Sequence, residues 1–142
     1  MNSLSPRLRD AVAALPLAAG MRVLEIGCGP GAAARAVARS IAPGKVVAMD
    51  RSASAVDAAR RAGAEEIRAG ILEVRLGAVE DLLPVPGEPP FDLAFAFRVG
   101  ALDGRHPELF DRALQRLAAV LSPTGRLFID GGAPLRELPI RR

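Results

Sequence analysis

Residues Val23-Leu24-Glu25-Ile26-Gly27-Cys28-Gly29-Pro30-Gly31 constrain this chain more than any other stretch. Apolar, partly β-branched residues flank a single acid and predict a buried strand. Three glycines then follow within five positions. Glycine permits positive φ and lets a ligand come close where a Cβ would stand in its way. Ala32 to Ile41 reads as a helix, so the segment is a strand, a tight turn and a helix N-terminus whose unsatisfied N–H groups attract anions. A small ligand with an anionic group is expected on Gly27–Gly31.

Composition narrows the partners. At 142 residues the chain makes one domain, small for an enzyme. It has no tryptophan or tyrosine, which removes the usual platform for stacking bases. Lys45 is the only lysine, and the arginines are scattered apart from Arg60-Arg61 and Arg141-Arg142, so the net charge of +3 reads as solvated surface and not as a nucleic-acid footprint. A single cysteine, Cys28, excludes an internal disulfide, and a single histidine, His106, excludes a multi-histidine metal site. No metal is expected. No apolar run reaches membrane-spanning length, and Met1 to Gly20 lacks a basic start followed by an unbroken apolar core. A cytoplasmic location is expected, with no membrane partner.

Along the chain, Ser5-Pro6 suits the start of an amphipathic helix over Ser3 to Leu15, which Pro16 ends. Strand one is Arg22 to Ile26. Lys45 to Met49 is strand two, with Asp50 at its carboxyl end. Ser52 caps a helix from Ala53 to Ala69 that turns Ala55, Val56, Ala59 and Ile67 inward. Strand three is Ile71 to Leu76, and strand four is Phe91 to Phe97, after a proline-rich loop. A helix from Pro107 to Leu121, a turn at Ser122-Pro123-Thr124-Gly125 and strand five from Arg126 to Asp130 complete the alternation. This pattern predicts an α/β domain over residues 1–142, with a parallel sheet and right-handed crossovers.

In such sheets ligands lie beyond the carboxyl ends of the strands, where strand order reverses. Gly27–Gly31, Asp50-Arg51, Gly77-Ala78-Val79-Glu80 and Arg98-Val99-Gly100 therefore meet over one crevice. Asp50 suits a ribose, since one carboxylate accepts from two vicinal hydroxyls. Gly27-x-Gly29-x-x-Ala32 also satisfies the dinucleotide fingerprint, with Asp50 at about the right distance. Asp103, Arg105 and His106 stand beside the crevice and are candidates for contacts to a second substrate, although a histidine acts as general base only when partners position it. Cys28 reads as a turn residue.

The stretch Met21 to Gly31 resembles motif I of the class I S-adenosylmethionine-dependent methyltransferases, where an acid stands at the place of Glu25 and NAD-binding strands usually carry an apolar residue. Asp50-Arg51-Ser52 is similar to that family's acid after strand two, and Leu121-Ser122-Pro123-Thr124-Gly125-Arg126-Leu127 to its turn before strand five. The resemblance implies a three-layer Rossmann-like sandwich with a mainly parallel five-stranded sheet in the order 3-2-1-4-5. It implies S-adenosylmethionine as cofactor and S-adenosylhomocysteine as product. Gly27, Cys28, Gly29 and Gly31 would contact the methionine and ribose, and Glu25 would order the amino-acid end. Asp50 would take the ribose hydroxyls, Arg51, Ala78 and Val79 would flank the adenine, and the Arg98 backbone would face the ammonium.

Two departures stand out. Many members carry Gly-Asp-Ala after strand three, whereas this chain has Gly77-Ala78-Val79 and needs Glu80 or Asp81 to reach the adenine amino group. The chain also stops soon after strand five, short of the family's two further strands. The implied function is methyl transfer to a small-molecule acceptor. The alternatives are a cofactor-binding module without its own catalysis, needing a partner subunit, and an NAD-dependent oxidoreductase domain. With strand five at the edge, and Pro134 and Pro139 making the tail a poor ladder partner, a homodimer through strand five and the C-terminal tail is expected.

Overall fold

The computed structural model describes residues 3–142. Its strands are β1 (Arg22–Ile26), β2 (Lys45–Asp50), β3 (Leu72–Leu76), β4 (Phe91–Ala96), β5 (Leu121–Asp130) and β6 (Leu135–Leu138). Its helices are α1 (Pro6–Ala14), α2 (Ala32–Ile41), α3 (Ala53–Ala62), α4 (Ala64–Arg68), α5 (Gly100–Asp103) and α6 (Phe110–Val120). One sheet runs β3-β2-β1-β4-β5-β6. The first five strands are parallel, with Leu24 of β1 between Val47 of β2 and Ala94 of β4, and β6 returns antiparallel to β5.

Side chains leave a strand on alternate faces, and neighbouring residues here feed separate cores. Val23, Val46, Leu93 and Phe95 pack with α1, α2 and α3 on one side of the sheet. Leu24, Val47, Ala94 and Leu127 pack with α5 and α6 on the other. The result is the expected three-layer sandwich, and the inner strands are almost continuously apolar because both faces are covered. Local signals act where they were read. Ser5 Oγ accepts from Leu8 N and opens α1 ahead of Pro6, and Ser52 Oγ accepts from Ala55 N and opens α3.

Several expectations are corrected. The helix over Ala53 to Ala69 is two helices, broken at Gly63, where a Cβ would stand 2.6 Å from Leu72 Cδ2. The break resets the helical phase, so Ile67 is 36% exposed and Glu66 is buried instead, held by Arg39 at 2.6 Å and Arg35 at 3.3 Å. The helix expected from Pro107 begins with a 3-10 turn, Pro107–Leu109, and Leu121 already belongs to β5. The turn at Ser122–Gly125 survives as a bulge inside β5, since Phe91 pairs with Leu121 and Leu93 with Arg126.

The sheet has six strands, not five, so β5 is not its edge. Pro134 and Pro139 flank β6 without interrupting it; a proline removes only its own N–H, and Leu135–Leu138 keep theirs. Arg126 and Glu137 pair across the two strands at 2.8 Å. The open β5 edge on which a homodimer was expected is therefore covered by the chain itself. Among the described residues no helix is long and apolar enough to cross a membrane.

Leu117 is fully buried in the core under α6. Leu117→Ala is expected to lower the unfolding free energy by about 2–5 kcal/mol. Ile67→Ala should stay within about 0.5 kcal/mol of the parent. Urea denaturation of the two variants checks both values.

Candidate functional site

Strand order reverses between β1 and β4, and the loops that leave these strands face each other across the crevice. Gly27, Gly29 and Gly31 all have positive φ, at 70°, 54° and 91°. A Cβ on Gly27 would stand 2.7 Å from Val99 Cγ2, so glycine there lets the β1 and β4 loops close on one another. The turn is pinned by its own amides. Gly27 N and Cys28 N donate to the Met49 carbonyl at 2.8 and 3.0 Å, Gly29 N to Asp50 Oδ2 at 2.9 Å, and Gly31 N to the Cys28 carbonyl at 3.0 Å. These amides were expected to be free for an anion, and each has an acceptor inside the protein. Anion-binding capacity passes to the first turn of α2, where Ala32 and Ala33 have no intrahelical acceptor and line the crevice.

Two adjoining cavities occupy the crevice. One, of about 290 Å³, is walled by Gly27, Asp50, Arg51, Ala78, Val79 and Arg98. The other, of about 380 Å³, is walled by Glu25, Gly27, Cys28, Gly29, Asp50 and Arg98. The structure thus brings together every residue predicted for the cofactor except Gly31, which packs on Ala59. Asp50 borders both cavities. Its Oδ1 accepts from Ser52 N at 2.9 Å as its Oδ2 accepts from Gly29, so it shapes the loop and keeps lone pairs in reserve.

Glu25 is the unusual group. It is 3% exposed, and its Oε1 has no hydrogen-bond partner among the described residues. Burial, with a smaller contribution from the Asp50 carboxylate, pushes its pKa up to about 8. Burial likewise pushes the Cys28 thiol up to about 12, helped by the Glu25 and Asp50 carboxylates, and its Sγ donates to the Gly29 carbonyl. A thiol held there is not a nucleophile at neutral pH, which leaves Cys28 as a turn residue.

The far wall is built on Arg98, whose φ of 57° is the one positive value among the described non-glycine residues. Its N–H donates to Asp130 Oδ1 at 2.9 Å, and its carbonyl accepts from Arg105 Nη2 at 2.6 Å. Arg105 also pairs with Asp103 at 2.9 Å, so these two candidates brace the Arg98 loop. The His106 side chain is 60% exposed, lies against Gly100 and sits 3.4 Å from Glu108. Of the two acids considered as substitutes for the missing aspartate, Glu80 is buried at the first cavity, 3.3 Å from Arg51, whereas Asp81 turns away to Arg112 at 3.1 Å. Asp130 is absent from the sequence-based set. It is an acid at the carboxyl end of a strand, as Asp50 is, and the same rule extended to β5 finds it.

Between pH 4.5 and 8 the unfolded chain releases a Glu25 proton that the folded chain keeps. Glu25 therefore lowers stability progressively as pH rises through that window, and its cost levels off above it. Glu25→Gln removes the titration. Relative to the parent, the variant should gain on the order of 5 kcal/mol between about pH 4.5 and pH 8.5. Urea melts of both proteins across that range measure the difference, and a gap independent of pH would contradict the raised pKa.

The methyltransferase-domain family model matches residues 23–125 of this chain. Trans-aconitate 2-methyltransferase from Methylobacterium nodulans is 33% identical over 128 residues, covering 90% of this chain and 45% of that protein. The crystal structure of the [4+2]-cyclase SpnF superposes with a TM-score of 0.69 at 31% identity, over 87% of this chain and 43% of its own. An S-adenosylmethionine-dependent methyltransferase from Thiobacillus denitrificans, in complex with S-adenosyl-L-homocysteine, superposes with a TM-score of 0.66 at 25% identity, over 90% and 49%. The chain spans about half the length of these proteins. The glycine turn, Glu25, Asp50, Glu80 and Arg98 all fall inside the matched residues, and the chain belongs to the methyltransferase-domain family, in its class I S-adenosylmethionine-dependent form.

Proposed function

We propose that the chain binds S-adenosylmethionine across the two cavities and transfers its methyl group to a small-molecule acceptor. The observation that carries this reading is Glu25 Oε1, a buried oxygen on the wall of a cavity with no partner among the described residues. An ammonium group supplies what that oxygen lacks. The other residues fit the same ligand. Asp50 has lone pairs left for ribose hydroxyls, and the first-turn amides of Ala32 and Ala33 suit a carboxylate. Arg51, Ala78 and Val79 flank the place for an adenine, and Glu80 offers its amino group the acceptor that Ala78 lacks. When bound, S-adenosylmethionine supplies an electrophilic methyl group on a sulfonium. The chain's own part is positioning, through a turn fixed by four internal amide bonds and an Arg98 loop fixed at both its N–H and its carbonyl.

The size of the cavities and the lack of tryptophan and tyrosine favour a small acceptor over a nucleic acid. The trans-aconitate 2-methyltransferase relative puts small organic acids first among acceptors to try. Because the chain spans about half of its relatives, a binding module completed by a partner subunit is the second reading. The [4+2]-cyclase on the same fold is a reminder that fold alone does not fix the reaction. Mass spectrometry for an acceptor gaining one methylene unit, with the purified chain as the only protein, separates transfer from binding alone.

Calorimetry should find binding of S-adenosylhomocysteine and none of NAD. Asp50→Ala should weaken the former by about 1.5–3 kcal/mol; unchanged affinity in a folded variant would remove Asp50 from the site. An ammonium beside Glu25 favours its ionised form, so binding near neutral pH, below the free group's pKa of about 8, should release a proton. Titrations in buffers of different ionisation enthalpy read this directly. Proton release should vanish in Glu25→Gln.

A further inference from the structure

The sheet has a second edge. β6 ends it on one side, between two prolines, and β3 ends it on the other, with no proline and with an unbroken register against β2. Val46 N donates to the Ile71 carbonyl at 2.9 Å, and Gly77 N donates to the Asp50 carbonyl at 2.9 Å. Residues 71, 73, 75 and 77 therefore turn their backbone groups toward β2. Alternation turns those of Leu72, Val74 and Leu76 outward. Among the described residues one side chain reaches these outward groups. Arg60 Nη2 donates to the Val74 carbonyl at 2.9 Å and leaves that oxygen its second lone pair. Leu76, Leu83 and Val85, the most exposed large apolar side chains described, stand at the end of β3 and in the loop after it. Apolar groups exposed together in one place mark an interaction surface.

The strand reads Leu72-Glu73-Val74-Arg75-Leu76, an order complementary to its own reverse. Laid antiparallel on a second copy with Val74 opposite Val74, it brings every outward N–H to an outward carbonyl. Glu73 of each copy then stands opposite Arg75 of the other. These are the non-hydrogen-bonded positions, where Cα atoms come within about 4.5 Å and side chains are closest. The outward groups allow the register to slip only by two residues. One such slip sets Glu73 against Glu73, and the other sets Arg75 against Arg75. Like charges directly opposite destabilise a strand pair, so the sequence selects a single register. Within one chain Glu73 also pairs with Lys45 at 3.0 Å and Arg75 with Glu88 at 2.6 Å, so the new contacts extend an ion-pair network already in place.

We propose that the chain forms a two-fold dimer in which β3 pairs antiparallel with β3 of a second copy, joining two sheets into one. A two-fold axis suits this edge because one self-complementary patch serves both partners. The outward backbone groups supply the attraction. Exposed ion pairs add little affinity, and their part here is to choose the register and exclude the wrong ones. The paired strand runs directly into Gly77, Ala78 and Val79, so the dimer anchors one wall of the first cavity in each copy. The inference does not depend on which ligand that cavity takes.

Sedimentation equilibrium of the full chain tests it. The parent should fit a monomer–dimer equilibrium. Arg75→Glu and Glu73→Arg each place like charges opposite one another at both contacts, and each should weaken the dimer by about tenfold or more. Mixed one to one, the two variants present opposite charges at both contacts and should associate about as tightly as the parent. A second measurement needs no variant. Hydrogen exchange at the Leu72, Val74 and Leu76 amides should slow as protein concentration rises, while the Glu73 and Arg75 amides, bonded to β2, stay protected throughout. A parent that remains monomeric up to about 1 mM, single variants that dimerise like the parent, a mixture that stays monomeric although both variants fold, or outward amides whose exchange ignores concentration would each overturn the proposal.

Discussion

Glu25 is a carboxyl group set in the central strand of the sheet with one oxygen that has no hydrogen-bond partner among the described residues. Leaving a buried polar atom in that state costs about 1–3 kcal/mol. The neighbouring amides have been directed elsewhere. Gly27 and Cys28 donate to Met49, and Gly29 donates to Asp50 rather than to Glu25, the next-to-last residue of β1. The turn is therefore complete without the acid, which stands on the wall of the second cavity. Burial pushes its pKa up to about 8, toward the neutral form. The two cavities, the pinned turn and the braced Arg98 loop all surround that one deficit.

How much of this could be read from the sequence depends on how local each signal is. The β1–turn–α2 unit was legible because strand composition, glycine spacing and the following helical period agree over adjacent residues. Asp50 was legible because a single rule, an acid at a strand's carboxyl end, places it. Ile67 was misplaced because the helix breaks at Gly63 and its phase resets there, in a position crowded by Leu72 and the Ala59 carbonyl, which no local pattern encodes. The strand β6 was missed because four residues between two prolines carry no usable period, and the partner that orders them is β5. Further still from local reading is the ion pair of Arg7 with Asp130, whose members are 123 positions apart.

The crevice is divided by charge along the direction of the sheet. Glu25, Asp50 and Glu80 stand on the β1, β2 and β3 side, and Arg7, Arg105 and Arg136 stand on the β4, β5 and β6 side, with Arg98 at the seam. Both walls of that seam are held by the protein itself. The turn amides close on Met49 and Asp50 on one side, and the Arg98 loop is fixed by Asp130 and Arg105 on the other. The distance between the acidic and the basic wall is therefore set before any ligand enters, and preset geometry of that kind is what a positioning mechanism requires.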